Sequence, residues 1–370
     1  MVTGSVLIIT AGFGEGHNAA ARNLAQALRE SHPGMRVAVH DILDDAYGWM
    51  NRLARFAYTQ LINRFPSVWE FIFRRIDHHE SFDRGIFIFK RAARMLRNSI
   101  QHLKADVVVS TFPGYAPLMK HTFGDENRSF SFITVITDSL TINSIWHRCP
   151  SDQFLVPNEP TAKVMEEVGV PRNKIHVTGF PTPLAFTTPD PHRENPPSNG
   201  IWKVLFMVNS SPKIAPDIVR ALLGIENIEL TVTCGRNTKL LKELERLAQK
   251  LEKPVELHGW TPRIPEFIKR SHILISKAGG ATVQEALAAK TPMIITQVVP
   301  GQEEGNAQLL VSSGAGEIAI TPEAIAEAVK QTISPASGLY RIRQGAASQL
   351  SHPAGAKDAS NLIAAICMSE

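Results

Sequence analysis

The chain has 370 residues and a formal net charge of +4, with 44% of its residues hydrophobic and 20% charged. Those are the proportions of a soluble globular protein with enough chain for two domains, and so slight a charge does not by itself imply nucleic acid. Three scattered cysteines, Cys149, Cys234 and Cys367, show neither metal-ligand spacing nor a disulfide pattern; no metal site is expected, and a reducing cytoplasm is. No apolar run approaches the roughly 18 residues of a membrane span. The apolar stretch 6–11 is too short for a secretion signal and lacks a basic flank. The chain is expected not to cross a membrane, although it could lie on one.

Residues 6–10 read as a buried strand, followed by Gly12-Phe13-Gly14-Glu15-Gly16-His17 and an Ala/Leu-rich helix to about Arg29. A second strand, 36–39, ends at Asp41. A glycine-rich turn with an acid closing the next strand resembles a dinucleotide fingerprint, but the spacing lacks a glycine three residues past the second. His17 opens a helix, where the dipole disfavours the imidazolium and leaves a neutral ring able to accept a proton. It is a candidate general base, or else a plain capping histidine. Asp138, after a later strand, is the rival base, or an Asx turn.

Residues 50–104 carry eleven Lys and Arg against four Asp and Glu, a local charge of +7, interleaved with aromatics such as Phe56, Tyr58, Phe65, Trp69 and Phe71. Basic aromatic helices suit an anionic bilayer surface; the plainer reading puts the aromatics in a core and the arginines in water. Nucleic acid is the weaker match.

Further strands are predicted at 106–110, 132–136, 153–156 and 174–177, alternating with helical segments as in βα units with a parallel sheet. The stretch 187–200, TTPDPHRENPPSNG, reads as a linker. A second βα series follows, with strands near 204–208, 229–233, 254–257, 273–276, 292–296 and 317–319. The organisation expected is an N-terminal domain over 1–186, a linker over 187–200 and a C-terminal domain over 201–337. Helices over 338–370 could pack back on the first domain. The fold class is α/β, two doubly wound Rossmann-like domains with a cleft between them.

The second series holds the most informative run, Ser276-Lys277-Ala278-Gly279-Gly280-Ala281-Thr282-Val283-Gln284-Glu285. Two glycines without Cβ atoms let an anion approach the backbone, and the helix start offers free N–H groups and a positive dipole end. Glu285, one turn on, stands where a carboxylate accepts from both ribose hydroxyls. One βα unit later comes Gly301-Gln302-Glu303-Glu304-Gly305-Asn306, a polar cluster suited to sugar hydroxyls. Successive loaded turns at strand C-termini indicate a nucleotide or nucleotide-sugar site.

Together these residues resemble the monogalactosyldiacylglycerol synthase and processive diacylglycerol glucosyltransferase group of glycosyltransferase family 28, which has the GT-B fold. The resemblance covers nearly the whole chain. Its marks are Gly14-Glu15-Gly16-His17, the run 132–138 with Trp146, 177–181, Cys234-Gly235-Arg236-Asn237, His258-Gly259-Trp260, the 277–287 run and 301–306. It implies an inverting, metal-independent transfer of a hexose from a UDP-sugar to a lipid hydroxyl such as that of diacylglycerol, with no cofactor. Glu285 would take the ribose; Gly279, Gly280 and the N–H groups from there to Thr282 the diphosphate, with Arg236 adding charge. The main chain near Trp260 would read uracil, and Gln302, Glu303 and Asn306 would hold the sugar. His17, with Asp138 as alternative, would be the base, and Gly14, Gly16 and Trp146 would border the acceptor. The basic stretch would meet the inner face of a membrane, a peripheral location. One departure is the loop after the first C-terminal strand, 207–214, where such enzymes are glycine-rich and this chain has Asn209-Ser210-Ser211-Pro212-Lys213. Other readings are a UDP-sugar enzyme with another acceptor (an N-acetylglucosaminyltransferase, a hydrolase or an epimerase) and a non-catalytic UDP-sugar or lipid sensor.

Overall fold

The computed structural model of the chain describes residues 4–65, 67–69, 71–72, 89–124, 128–209, 212–301 and 303–369. Arg74, Arg75 and Arg84 of the basic stretch, Ser210 and Ser211 of the departing loop, and Gln302 lie outside the described residues. Two compact units emerge. The first comprises Met1–Leu184, Val299–Gly305 and Ala354–Glu370; the second comprises Ala185–Val298 and Asn306–Pro353.

The first unit runs β1 (Ser5–Thr10), α1 (Glu15–Ser31), β2 (Arg36–Asp41), α2 (Ile42–Tyr47), α3 (Trp49–Arg64), α4 (Lys90–Leu103), β3 (Val107–Ser110), α5 (Tyr115–Phe123), β4 (Ser131–Val135), β5 (Gln153–Val156), α6 (Glu159–Glu167) and β6 (Ile175–Val177). All strand pairs are parallel, in the order β2-β1-β3-β4-β5-β6. Every residue of β1 is buried, as a central parallel strand covered on both faces requires. Its side chains alternate between two cores. Val6 and Ile8 join Leu24 and Leu28 of α1, while Leu7 and Ile9 join Ile42, Leu96 and Phe132. The chain leaves β1 for β2 on one side and returns to β3 on the other. The carboxyl ends of β1 and β3 therefore diverge into a crevice, the position that binds ligands in doubly wound sheets.

The second unit repeats the plan. It runs β7 (Trp202–Met207), α7 (Ala215–Leu223), β8 (Ile228–Thr233), α8 (Thr238–Leu251), β9 (Glu256–His258), α9 (Ile264–Arg270), β10 (Ile273–Ser276), α10 (Gly280–Ala288), β11 (Met293–Ile295), α11 (Glu304–Ser313, its first two residues counting with the first unit), β12 (Gly316–Ile318), α12 (Pro322–Ile333) and α13 (Leu339–Gln349). The strand order is β12-β11-β10-β7-β8-β9, so the crevice here lies between β7 and β10. Val204, Phe206, Ile273, Ile275 and Ile294 of the sheet pack with Ile218, Leu222, Leu244 and Val329 of its helices.

Two boundaries differ from the sequence reading. The stretch 187–200 does not hang free: Arg193 donates to the carbonyls of Lys269 at 3.1 Å, Ala289 at 2.9 Å and Lys290 at 3.0 Å. Tyr340 donates to Asn195 Oδ1 at 2.6 Å. Polar residues that read as solvated linker are thus partners for helix-end carbonyls, and the stretch belongs to the second unit. The C-terminal helices also part company. α13 stays with the second unit, whereas α14 (Gly355–Ser369) packs in the first, where Ala359, Ile363 and Ala364 meet Leu24 and Leu28 of α1. No helix among the described residues is long and apolar enough to cross a membrane.

Ile363 is fully buried in that cluster. Ile363→Ala is expected to destabilise the first unit by about 2–5 kcal/mol, read as a shift in its denaturant midpoint. A loss below about 0.5 kcal/mol, the ordinary scatter of surface changes, would contradict the placement of α14.

Candidate active site

A cavity of about 640 Å³ lies in the first unit, lined from the carboxyl ends of its strands and from α3. Its walls are aromatic, with Phe13, Tyr58, Trp69, Phe112 and Tyr115 among them, and Met50 and Ala54 of α3 add apolar surface. His17, Asp138 and Trp146 line it as well. An apolar cavity with a few convergent polar groups, the ionisable His17 and Asp138 among them, has the make-up of a binding site.

His17 is delivered by the turn after β1. Gly14 caps α1 at φ 127°, a conformation that favours glycine, and places His17 in the first turn. His17 is 7% exposed. Its Nδ1 lies 2.9 Å from Thr137 Oγ1, its backbone carbonyl accepts from Thr111 Oγ1 at 3.1 Å, and Phe112 packs edge-on at 5.2 Å between ring centroids. Burial lowers its pKa to about 4, against a smaller opposing effect of the backbone hydrogen bond with Thr111. That direction favours the neutral ring, with desolvation and not the helix dipole as its cause.

Asp138 accepts from Trp146 Nε1 at 2.8 Å. Burial raises its pKa to about 6; the Trp146 bond opposes the rise and the charge of Glu303 adds to it. Glu303 is thus placed electrostatically beside Asp138, in a segment that counts with the first unit. Its Oε2 accepts from the Val299 amide at 3.1 Å. Gly305 anchors the segment, because a Cβ there would collide with the Ser139 carbonyl. The unit boundary falls between Gly305 and Asn306, and the buried Asn306 Oδ1 has no hydrogen-bond partner among the described residues. Gly16 lies half-buried in the first turn of α1.

The glycine-rich turn and Asp41 do not form a dinucleotide site. Asp41 accepts from the amides of Gly12 at 3.1 Å and Asp44 at 2.9 Å, and Arg55 of α3 lies 3.6 Å away. Arg55 also pairs with Asp44, and its guanidinium fills the space over Gly12 where a Cβ would collide. The acid that would hold a ribose is engaged inside the protein.

In the second unit Gly279 and Gly280 sit at the β7/β10 crevice. Gly279 caps α10 with φ −66°, open to any residue, and no side chain caps the helix. With no side-chain cap, the first-turn amides are the groups an anion would meet there. Thr282 is half-buried in that turn. Glu285 follows, half-buried, its pKa raised to about 7 by desolvation alone. Asn209 of the departing loop donates to Ser276 Oγ at 2.9 Å, tying that loop to the foot of the turn. Arg236 is exposed in the turn after β8, and Trp260, after β9, is 65% exposed.

Thr137, Phe112 and Arg55 are contacts that sequence reasoning missed as site residues. Thr137 immediately precedes Asp138, and its place just past a strand end was the available signal.

Comparison with known proteins agrees with this geometry. Residues 17–182 match the family model of monogalactosyldiacylglycerol (MGDG) synthase, and residues 208–358 match that of the glycosyltransferase family 28 C-terminal domain. A processive diacylglycerol beta-glucosyltransferase of Bacillus cytotoxicus is 26% identical over 360 residues, covering 93% of this chain and 89% of that protein. Among solved structures, Acinetobacter baumannii MurG superposes with a TM-score of 0.65 at 15% identity, covering 99% of this chain and 100% of the other. Medicago truncatula UGT71G1 complexed with UDP-glucose gives 0.62 at 13% identity, covering 99% and 98%. These likenesses establish the GT-B fold. With its two halves matched by the two models, the chain belongs to glycosyltransferase family 28, in the monogalactosyldiacylglycerol synthase and processive diacylglycerol glucosyltransferase group.

Proposed function

We infer that the protein is a UDP-sugar-dependent hexosyltransferase whose acceptor is diacylglycerol or a closely related lipid hydroxyl. The observation that carries this reading is the aromatic cavity of the first unit with His17 and Asp138 in its wall. A soluble alcohol needs no such surface, whereas acyl chains gain free energy by leaving water, at roughly 25 cal/mol per Å² of apolar area buried. The family match and the diacylglycerol named for the Bacillus relative support the same acceptor.

In this reading neutral His17 takes the proton of the acceptor hydroxyl as its oxygen attacks the anomeric carbon. The bond from that carbon to the diphosphate oxygen breaks on the opposite side, the anomeric configuration inverts, and the electron pair leaves with UDP. The amides opening α10 receive the diphosphate, with Arg236 adding charge, and Glu285 the ribose hydroxyls; the main chain near Trp260 reads uracil, and Asn306, Glu303 and Gln302 hold the sugar. The imidazolium formed at a buried site requires a counter-charge, and Asp138 supplies it from the same cavity wall. The transfer is proposed to need no metal or other cofactor.

The membrane-facing surface is proposed to be α3 with α4. Trp49, Leu53 and Phe56 repeat at helical spacing and are 67%, 58% and 62% exposed, while Met50, Ala54 and Tyr58 of the neighbouring stripe line the cavity. Besides Arg55, which is engaged by Asp41 and Asp44, the two helices hold six Arg and Lys and no Asp or Glu, complementary to anionic lipid.

UDP release is measured with anionic vesicles containing diacylglycerol, UDP-glucose and UDP-galactose in parallel, and EDTA present. Vesicle-dependent release with a matching glycolipid by mass spectrometry is the expected result; release without a glycolipid would overturn the lipid acceptor. Leu53→Ser with Phe56→Ser is expected to weaken vesicle binding at least tenfold, about 1.4 kcal/mol, and unchanged co-sedimentation would remove α3 from the membrane surface.

Glu285 gives a signed pH dependence. Ribose hydroxyls donate to its carboxylate, and burial holds its pKa near 7 in the empty protein. UDP-glucose affinity is therefore expected to fall as pH drops through that value. Glu285→Gln should bind more weakly above pH 7 and lose this dependence. Calorimetric titrations with identical pH profiles in the two proteins would contradict the ribose assignment. Asp138 acts in the same direction: turnover at saturating donor is expected to fall as pH drops through about 6, where its carboxylate is protonated.

A further inference from the structure

We propose that Thr137 is a positioning residue for the transfer, the acceptor that receives the Nδ1–H of His17 when His17 Nε2 takes the acceptor's proton. The inference rests on His17 being the base and concerns what stands behind that base.

Thr137 follows β4 by one residue and is 4% exposed. Its Oγ1 lies 2.9 Å from His17 Nδ1, at a ring that also lines the cavity. The Thr111 hydroxyl holds the same residue by its main-chain carbonyl at 3.1 Å, and Phe112 closes one side of the ring. With Nδ1 committed to Thr137, Nε2 is the nitrogen left to meet an acceptor hydroxyl.

A hydroxyl both donates and accepts. Before reaction the neutral imidazole carries one N–H, and Thr137 satisfies Nδ1 in either tautomer. As the acceptor O–H transfers its proton to Nε2, the ring becomes an imidazolium with two N–H donors. Its Nδ1–H must then find an acceptor, and Thr137 Oγ1 is in place at 2.9 Å, alongside a Thr111 main-chain hydrogen bond that also favours the charged ring. A bond to a charged donor is stronger than a neutral one, so this contact strengthens toward the transition state and its loss falls on turnover more than on binding. A hydroxyl brings no charge, and the charge partner is the adjacent Asp138. Two consecutive residues thus divide what a single carboxylate behind a histidine would do, Thr137 orienting the ring and Asp138 balancing its charge.

The test is steady-state kinetics on Thr137→Val, Thr137→Ser and each combined with His17→Ala, with diacylglycerol vesicles and donor. Thr137→Val keeps the shape and deletes the hydroxyl; it is expected to lower kcat by ten- to a hundredfold with KM for the donor within twofold. Thr137→Ser restores the hydroxyl and should stay within threefold of the parent. In the His17→Ala background neither substitution should change the residual rate, since there is no ring to orient. Thr137→Val within threefold of the parent, Thr137→Ser as impaired as Val, or a further loss in the His17→Ala background would each overturn the proposal. If His17→Ala itself retains parental activity, it is the base assignment that fails. Thermal unfolding and UDP affinity on the same samples separate a folding defect, which would lower both, from loss of ring orientation, which lowers neither.

Discussion

The proposed chemistry depends on one arrangement, an imidazole buried in an aromatic wall with a hydroxyl against its Nδ1. Burial holds His17 neutral, with a pKa near 4. A neutral ring can take a proton, but the imidazolium it becomes is disfavoured where it forms. Asp138, its own pKa raised to about 6 by burial and by Glu303, is then more than a rival base. In the proposed mechanism it is the charge that makes a protonated His17 tolerable. The same apolar wall that depresses the histidine is the surface proposed to receive acyl chains, so in this account base strength and acceptor class share one physical cause.

Two doubly wound sheets explain why the chemistry sits where it does. In each unit the chain reverses its strand order once, between β1 and β3 and between β7 and β10. Strand carboxyl ends and helix amino ends meet there with unsatisfied backbone groups. The first crevice is walled with side chains and becomes a cavity. The second keeps its amides bare behind two glycines and suits an anion. The 207–214 loop joins this second crevice through Asn209 and Ser276, which gives the turn a polar support.

Much of this was legible in the sequence. Short apolar runs alternating with helical segments located most of the sheet, because a parallel strand covered on both faces has little freedom in composition. The Gly279-Gly280 turn and Glu285 were readable because their chemistry is local, within one strand–turn–helix joint. What escaped is non-local. Thr137 meets His17 across 120 positions, and no spacing rule joins them. Arg55 fills the Gly12–Asp41 crevice from a later helix, so a nucleotide-like fingerprint ends as an internal ion pair. Glu303 and Asn306 read as one cluster, and the boundary between the two units falls directly before the asparagine, after Gly305. The stretch 187–200 looked solvated because its polar side chains find main-chain carbonyls, and sequence composition does not distinguish those from water.

The central claim is that the first unit's cavity holds the lipid acceptor. Diacylglycerol carrying a photoreactive group on one acyl chain, presented in anionic vesicles and irradiated with the intact protein, tests it directly once the labelled peptides are mapped by mass spectrometry. The account predicts labelling at cavity residues such as Tyr58, Phe112 and Tyr115, competed away by unlabelled diacylglycerol. Labelling confined to residues outside the cavity, or indifferent to competitor, would contradict it.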